Sequence, residues 1–304
     1  MADATGRPRP AFVTTRDGIR LAYEHHLPAA AAPGSPPRPT VIFSCAYCTT
    51  RENWRGQIAP LLAAGHPVVV WDLRAHGDSR IPASAPASGP PAWSIDDIVA
   101  DLDAIAEAAT PNAPFIAAGL SFGGLASLHY AVRHPRRVAA LVLIASGPGF
   151  KNAEAAAAWA AQVERTASFL ETRGLEAFVA GRAGTTCIGR RPELPAAQAA
   201  ARAIVAQEVA GLARFGREVS GPAPPVIDAL GGIEVPALVL VGEHDQPFLR
   251  AGEVMAAKLP RARHVVVPDA GHIVNIEQAE RFDRELLDFL ASLEGIGMSD
   301  GPRD

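Results

Sequence analysis

The chain has 304 residues, of which 48% are hydrophobic and 20% are charged, a composition typical of a globular protein rather than a disordered or fibrous one. This length fits one large domain or two ordinary ones. With 28 basic and 32 acidic residues, the net charge is −4, which argues against a general nucleic-acid-binding surface. The longest apolar run, 138–145, is far too short to span a membrane. Neither nucleic acid nor a membrane is therefore an expected partner.

The cysteines also narrow the class of protein. Cys45, Cys48 and Cys187 are too few for a disulfide framework, and their odd number suits a reducing compartment. Cys45 and Cys48 form a C-x-x-C, but no second cysteine or histidine pair completes a zinc site, so no metal is predicted. Residues 1–10 lack the apolar stretch of a signal peptide. Together these features predict a cytoplasmic protein.

The first half of the sequence alternates strands with helices. A predicted hairpin turns at Asp17-Gly18, and the later strands are short, continuous apolar runs. The predicted strands are 11–15, 19–27, 40–45, 68–73, 115–120 and 138–145; the predicted helices are 52–64, 122–133 and one that Ser94 caps and that runs to about residue 109. Continuous apolar strands of this kind are typical of a mostly parallel sheet with helices on both faces.

The alternation breaks at about residue 149. Two Ala-rich helices, 152–180 and 196–215, are predicted there, and no comparably strong strand occurs before residue 225. Strands resume at 237–241 and 264–267, with helices at about 249–259 and 278–292. The sequence therefore predicts a core formed by residues 11–148 and 227–293, a helical cap at 149–226, and disordered tails at 1–10 and 294–304.

A G-x-S-x-G motif, residues 119–123, lies between a predicted strand and a predicted helix. A sharp strand-to-helix turn holds its serine, Ser121, in a strained backbone conformation, and flanking glycines remove Cβ atoms that would clash there. The hydroxyl then projects at a helix N-terminus, where backbone N–H groups favour a developing anion. The motif predicts a nucleophilic serine; a Gly-rich turn of a nucleotide-binding fold is the alternative.

A nucleophilic serine needs a general base and a carboxylate that orients the base. Asp245 follows the strand at 237–241, and His272 follows the last strand, so both would lie at the carboxyl edge of the sheet, where open α/β sheets build their sites. His272 would accept the proton of Ser121, and Asp245 would hold the imidazole tautomer. Glu243 and Asp269 are the rival carboxylates.

With these motifs in this order, the chain resembles the α/β-hydrolase superfamily, specifically its small cap-bearing esterase, lactonase and haloperoxidase-like branch, over about residues 12–293. Residues 72–79, D-L-R-A-H-G-D-S, are similar to the family's D-x-R-G-H-G-x-S segment, which implies structural roles for Asp72 and His76. The resemblance implies an α/β-hydrolase fold: a mostly parallel eight-stranded sheet with helices on both faces and an inserted helical cap.

The loop after the third strand departs from the family pattern. In the family this loop usually carries His-Gly and an apolar residue about nine residues before a Trp, and counting back from Trp54 gives Cys45-Ala46-Tyr47. The resemblance implies that the backbone N–H groups of Tyr47 and Phe122 form the oxyanion hole. Because these donors are main-chain groups, the side-chain replacements need not remove them, although the loss of glycine restricts the loop.

The cap is expected to face the nucleophile and to shape the substrate pocket. The pocket candidates are Cys45, Ala46, Trp159, Phe169 and Phe178. Cys45 and Cys48 are interpreted as small packing residues rather than as a redox-sensitive gate or a second nucleophile. An inward-facing cap arginine would select a carboxylate-bearing substrate by bidentate pairing. The cap arginines are Arg165, Arg173, Arg182, Arg190, Arg191, Arg202, Arg214 and Arg217.

The implied function is that of a serine hydrolase that cleaves a small carboxylic ester or lactone through an acyl-enzyme intermediate, without a cofactor. The elbow G-L-S-x-G-G is similar to that of enol-lactone hydrolases. A carbon–carbon bond hydrolase of vinylogous diketo acids and a non-catalytic small-molecule receptor on the same fold are the alternatives. A dehalogenase is disfavoured because its nucleophile would be Asp in place of Ser121.

Overall fold

In the computed structural model, which describes residues 9–29, 37–81 and 92–294, eight strands form one sheet. The strands are β1 (Ala11–Thr14), β2 (Arg20–His26), β3 (Val41–Ser44), β4 (Val68–Trp71), β5 (Phe115–Leu120), β6 (Val138–Ile144), β7 (Ala237–Gly242) and β8 (Ala262–Val267). Their order across the sheet is β1-β2-β4-β3-β5-β6-β7-β8. Strands β1 and β2 are antiparallel to their neighbours, and β3 to β8 run parallel to one another. The predicted fold class is confirmed.

Helices connect most of these strands. The α-helices of the described residues are α1 (Arg55–Ala63), α2 (Ile95–Ala109), α3 (Phe122–Arg133), α4 (Ala153–Ala180), α5 (Thr185–Ile188), α6 (Pro195–Val205), α7 (Val209–Phe215), α8 (Gln246–Lys258), α9 (Val274–Glu277) and α10 (Ala279–Glu294). Ser94 caps α2 as predicted, with Asp97 completing a capping box. Every residue of β3, β4, β5 and β7 is buried, which requires cover on both faces of the sheet.

The four helices α4 to α7 lie between β6 and β7, where the cap is predicted. Two predicted helices are interrupted. Gly174, at φ 79° and ψ 174°, breaks α4 into two helices that meet at a kink. The predicted helix 196–215 is wrong as a single element, because α6 ends at Val205 and α7 begins at Val209. The intervening turn contains Gln207, whose side chain bonds to the core instead of facing solvent.

The remaining differences are at element ends. Helix α8 begins at Gln246, three residues before the predicted start, and β8 begins at Ala262, two residues before the predicted start. The short helices α5 and α9 were not expected, because four residues carry too little periodicity to be recognised. The core and cap limits at 148–149 and 226–227 stay predictions. Of the tails predicted at 1–10 and 294–304, residues 1–8 and 295–304 lie outside the described residues.

Parallel strands bring several loops to one edge of the sheet. The turns after β3, β5, β7 and β8 all leave the carboxyl ends of neighbouring strands, and they carry residues 45–50, Ser121, Asp245 and His272. This is the edge at which open α/β sheets place their ligands.

Candidate active site

Ser121 occupies a strained turn between β5 and α3. Its φ of 53° and ψ of −113° are rare for a residue with a side chain and cost on the order of 1–3 kcal/mol. Two hydrogen bonds hold this conformation: the Ser121 N–H donates to the Ile144 carbonyl at 2.8 Å, and the Ser121 carbonyl accepts from Ser146 Oγ at 2.7 Å. A Cβ on Gly119 would lie 2.2 Å from the Gly123 carbonyl group, so the turn closes only around glycine.

The start of α3 packs directly on the loop that follows β3. A Cβ on Gly123 would lie 2.4 Å from the Ser44 carbonyl oxygen and 2.7 Å from that of Cys45. Ser44 also pairs with Gly119 across β3 and β5. The loop at residues 45–50, which we name the β3 loop, therefore lies beside the serine turn.

Two backbone N–H groups at this junction are available as donors. Phe122 is the first residue of α3, so its N–H has no partner within the helix. Within the described ranges, the N–H groups of Tyr47 and Phe122 have no hydrogen-bond acceptor. The rings of both residues contact Phe215 of α7, with centroid distances of 5.9 Å for Tyr47 and 5.1 Å for Phe122. The structure thus brings both predicted oxyanion residues against one cap side chain.

His272 and Asp245 form a buried pair. His272 Nδ1 lies 2.7 Å from Asp245 Oδ2, and both side chains are more than nine-tenths buried. Asp245 stands at the N-cap of α8 but makes no capping hydrogen bond, so its carboxylate is free to bind the imidazole. A Cβ on Gly242 would lie 2.2 Å from the Gly271 carbonyl oxygen, which shows how closely the two loops approach. The bond at Nδ1 leaves Nε2 of His272 for another partner.

No hydrogen bond joins Ser121 to His272 in the part of the chain that the structure describes. Catalytic contacts in unliganded enzymes are often long and tighten only with substrate bound, so this separation does not disqualify the pair. The ring of Phe248 in α8 packs on the imidazole at a centroid distance of 4.8 Å and restricts its movement.

The rival carboxylates are engaged elsewhere. Glu243 Oε2 accepts the N–H of Asp269 at 3.0 Å, and Glu243 itself is exposed. Asp269 is also exposed, forms an ion pair with Arg191 and lies 3.8 Å from His244 Nε2. Neither carboxylate makes a hydrogen bond to His272 among the described residues.

His76 supports the β3 loop from behind. Its Nδ1 lies 3.0 Å from the Arg74 carbonyl, and its Nε2 accepts the N–H of Cys48 at 3.1 Å, so the geometry assigns the proton to Nδ1. Burial lowers the pKa of His76 to about 4, against the opposing effect of the Arg74 carbonyl. The ring therefore stays neutral at physiological pH, which keeps Nε2 available as an acceptor. Asp72 accepts the N–H groups of Arg51 and Asp78 at 2.7 and 3.0 Å and so shapes the same loop.

The predicted pocket residues fall in different environments. Cys45 is fully buried and its thiol donates to the Trp71 carbonyl, while burial raises its pKa well above the usual range. Phe178 is buried in the packed interior, and Phe169 is 38% exposed. Trp159 is partly exposed and donates its indole N–H to the Ser220 carbonyl at 2.8 Å. Cys45 and Phe178 are therefore not part of the pocket proposed below, and a buried neutral thiol is a poor nucleophile.

Sequence reasoning assigned no role to Glu277, Gln207 and Phe215, and it did not single out Arg190 among the eight cap arginines. Arg190 of the cap lies against the loop that carries His272, since a Cβ on Gly271 would lie 2.7 Å from Arg190 Cδ. Glu277 is buried and accepts the Gly271 N–H at 3.0 Å through Oε2. Gln207 and Phe215 contact the β3 loop. No short motif marks these four residues, so no local signal in the sequence distinguishes them from other cap and helix positions.

A separate cavity of about 220 Å³ does not belong to the candidate site. It is lined mainly by charged side chains and by small residues of α6, and none of Ser121, Asp245 and His272 borders it. Across residues 9–29, 37–81 and 92–294, no group of three His, Cys, Asp or Glu side chains is arranged to hold a metal ion. Within the same ranges, no helix combines the length and apolar character that a membrane crossing requires.

Comparison with known proteins places the chain in a family. The model of the alpha/beta hydrolase fold family matches residues 39–279. A Variovorax paradoxus (strain S110) protein described as the carbamate hydrolase RutD is 31% identical over 91% of this chain and 98% of its own. The 3-oxoadipate enol-lactonase 1 of Acinetobacter baylyi (strain ATCC 33305 / BD413 / ADP1) is 25% identical over 93% and 97%. A thermophilic esterase from Thermogutta terrifontis shares the fold, with a TM-score of 0.77 and 24% identity over 94% of this chain and 99% of its own. This chain therefore belongs to the alpha/beta hydrolase fold family.

Proposed function

We propose that the protein is a serine hydrolase that cleaves a small carboxylic ester or lactone through an acyl-enzyme intermediate. The observation that carries the proposal is the buried 2.7 Å contact between His272 Nδ1 and Asp245 Oδ2, at the sheet edge where Ser121 stands in its strained turn. Ser121 Oγ attacks the carbonyl carbon while His272 Nε2 takes its proton. Asp245 holds the Nδ1–H tautomer and stabilises the imidazolium that forms.

The N–H groups of Tyr47 and Phe122 bind the oxyanion of the tetrahedral intermediate. Their lack of other acceptors in the described residues and their common contact with Phe215 support this assignment. Removal of one such donor costs about 3–4 kcal/mol of barrier in a comparable enzyme. Because both donors belong to the backbone, the Cys45-Ala46 sequence leaves them in place.

The same groups complete acylation and then carry out hydrolysis of the acyl-enzyme. The imidazolium of His272 gives its proton to the leaving oxygen as the carbonyl–oxygen bond breaks, and the alcohol departs or, for a lactone, remains attached to the acyl group. His272 then takes a proton from water, whose oxygen attacks the acyl carbon. Collapse of the second oxyanion releases the acid, and the proton returns to Ser121.

The substrate class follows from what surrounds the serine and from the relatives. An esterase and an enol-lactonase are among the similar proteins, which supports an ester or lactone as the proposed substrate. Trp159 and the exposed side of Phe169 remain the proposed apolar contacts of the pocket, whereas Ala46 is only 2% exposed and is set aside with Cys45 and Phe178. Arg190 is exposed, forms no ion pair with the described residues, and has its Cδ beside Gly271. We propose it as the cap arginine that would pair with a carboxylate on the substrate. The three free cysteines support a cytoplasmic location.

A series of p-nitrophenyl esters and simple lactones, assayed with Ser121→Ala alongside, tests this function. The wild type should show a burst of nitrophenol followed by steady turnover, and Ser121→Ala should lower kcat by about 10⁴-fold or more with the fold intact by circular dichroism. Ser168→Ala, at a partly exposed cap position where the hydroxyl bonds only to Glu164 of the same helix among the described residues, is the matched control and should keep full activity. A folded wild type without multiple turnover on any ester or lactone would overturn the proposal in favour of the carbon–carbon hydrolase or the receptor.

A further inference from the structure

We propose that Gln207 of the cap is a positioning residue for the oxyanion hole, because its amide fixes the β3 loop against the neighbouring loop that carries His76. The inference rests on the proposed function, since it assigns a task to the same site. It also makes the cap a part of the catalytic geometry rather than only a cover over the substrate.

Both ends of the Gln207 amide bind backbone groups of the core. Its Nε2 donates to the Cys48 carbonyl at 2.9 Å, and its Oε1 accepts the Gly77 N–H at 2.9 Å. The two partners have opposite polarity, so the orientation of the amide is determined by the contacts themselves. Gln207 is only 7% exposed, and little water competes for these bonds.

The bond to Cys48 acts on a residue that needs support. Cys48 has a φ of 67°, in the left-handed region that a residue with a side chain rarely adopts. His76 Nε2 accepts its N–H, and Gln207 Nε2 donates to its carbonyl. Because both backbone polar groups of Cys48 are hydrogen-bonded, this residue, which directly follows Tyr47, keeps its strained conformation.

That conformation controls the direction of the Tyr47 N–H. The peptide plane that carries this N–H also carries the Ala46 carbonyl, which accepts the Thr49 N–H at 3.1 Å and the Thr49 hydroxyl at 3.0 Å. Thr49 follows Cys48, so a change at Cys48 moves Thr49 and then rotates the plane. Gln207 thus acts on the oxyanion donor through Cys48, Thr49 and the Ala46 carbonyl.

The cap reaches the same loop at a second point. Tyr47 donates its hydroxyl to the Leu212 carbonyl of α7 at 3.1 Å, and its ring stacks on Phe215. These contacts hold the side chain of Tyr47, whereas Gln207 holds the backbone that carries the donor. Loss of the Tyr47 hydroxyl is therefore expected to matter less than loss of the Gln207 amide.

Two substitutions separate the bonds of Gln207. Gln207→Met keeps the size of the side chain and removes both hydrogen bonds. Gln207→Glu keeps an acceptor for Gly77 but sets a carboxylate oxygen against the Cys48 carbonyl. Gln198→Met, at an exposed position of α6, is the matched control.

We expect both Gln207 variants to lower kcat by roughly 10- to 100-fold, part of the loss seen when an oxyanion donor is removed. KM should stay within about threefold, because the ground-state carbonyl gains little from the oxyanion hole. The inhibition constant of a trifluoromethyl ketone, whose serine adduct carries an oxyanion, should rise in parallel with the loss of kcat. A cap that merely loosened would raise KM and leave the ratio of inhibitor to substrate affinity unchanged, and that result would overturn the inference. A Gln207→Glu variant with the kcat of the wild type would also overturn the inference.

Hydrogen exchange read by mass spectrometry tests the contact without any assay of activity. Gln207→Met should accelerate exchange in residues 45–50, and Gln198→Met should not. If the wild type lacks Ser121-dependent turnover but exchange responds as expected, the proposed function fails while the structural contact stands. If turnover is normal and exchange at 45–50 is unchanged in Gln207→Met, the inference itself is wrong.

Discussion

Two arginines, one in the core and one in the cap, show how differently the two regions are held. Arg74 is fully buried and binds both oxygens of Asp101, at 2.7 and 2.8 Å, together with Asp17 at 2.9 Å. Arg217 likewise binds two carboxylates, Glu164 and Glu171, at 2.7–2.9 Å, but its side chain is 36% exposed. The same set of contacts is made in a low dielectric in one region and in water in the other.

The core and the cap also contribute different parts of the candidate active site. The core loops that carry Ser121, Asp245 and His272 are packed so closely that glycines are needed at their crossings. The cap contacts the β3 loop through Gln207, Leu212 and Phe215, and the ion pairs of its Arg217 are exposed to solvent. The core therefore provides the rigid reacting groups, whereas the cap acts on them through a small number of specific contacts.

The largest expected effect is a loss of kcat caused by a substitution in the core. Asp245→Asn should lower kcat by about 10⁴-fold, because an amide at this position favours the wrong tautomer of His272. Glu243→Gln, two residues away on the same loop, is the matched control and should change kcat less than twofold, since among the described residues its carboxylate binds the Asp269 N–H and not His272. Steady-state kinetics with a p-nitrophenyl ester measures both. Near-full activity in Asp245→Asn together with a loss in Glu243→Gln would reverse the assignment of the acid.

A stability measurement sharpens the comparison of the two arginines. Arg74→Gln should lower the free energy of unfolding by about 3 kcal/mol or more, because it leaves Asp101 buried without its cation. Arg217→Gln should leave the urea midpoint unchanged within error, because water replaces its contacts. Urea titrations followed by circular dichroism provide both values. Equal losses in the two variants would contradict the distinction between a dry core and a solvated cap.

The smallest expected effect is a change in pH dependence. Burial holds the pKa of His76 at about 4 in the folded state, against 6.5 for the free side chain. Between these values the unfolded chain binds a proton that the folded one excludes, so the His76 contribution to stability is complete above pH 6.5 and is lost as the pH falls towards 4. His76→Gln should flatten the slope of unfolding free energy against pH in this window by up to about 1.4 kcal/mol per pH unit.

The control for this slope is the same titration at neutral and alkaline pH. Above pH 7 the wild type and His76→Gln should show parallel dependence, since His76 is neutral in both the folded and the unfolded chain there. Identical slopes between pH 6.5 and 4 would mean that His76 takes up its proton while the protein is folded, and would contradict its assignment as a neutral acceptor for the Cys48 N–H.

Much of the core was predictable because its signals are local. Strands β1 and β2 follow from a hairpin turn signal and the other six from apolar runs, and the bounds agree within two residues. Ser121 is marked by glycines on both sides, and Asp245 and His272 each follow a strand directly. Parallel pairing then brings these strand ends to one edge without any further information. The contact between His272 and Asp245 is thus the expected consequence of strand order, although their roles in catalysis remain a proposal.

The cap was predictable only in outline. An Ala-rich pattern is compatible with a helix across 196–215, and nothing in it shows that the chain turns at Gln207 so that this side chain can reach two core loops. The pocket candidates were chosen by residue type, and burial separates Trp159 from Cys45 and Phe178. Of the eight cap arginines, position in space alone brings Arg190 against the loop of His272.

The sequence by itself determined the eight strands and the longer core helices in chain order, the strained serine turn and the loops that bear the acid and the histidine, because each depends on contiguous residues and on backbone sterics. The tertiary structure alone decided which cap residues meet the β3 loop, why His76 is neutral and where Arg190 lies. These depend on how a helical segment of the chain crosses the sheet edge, and on the burial that results. Contacts between residues 130 to 165 positions apart leave no local pattern from which they could be read.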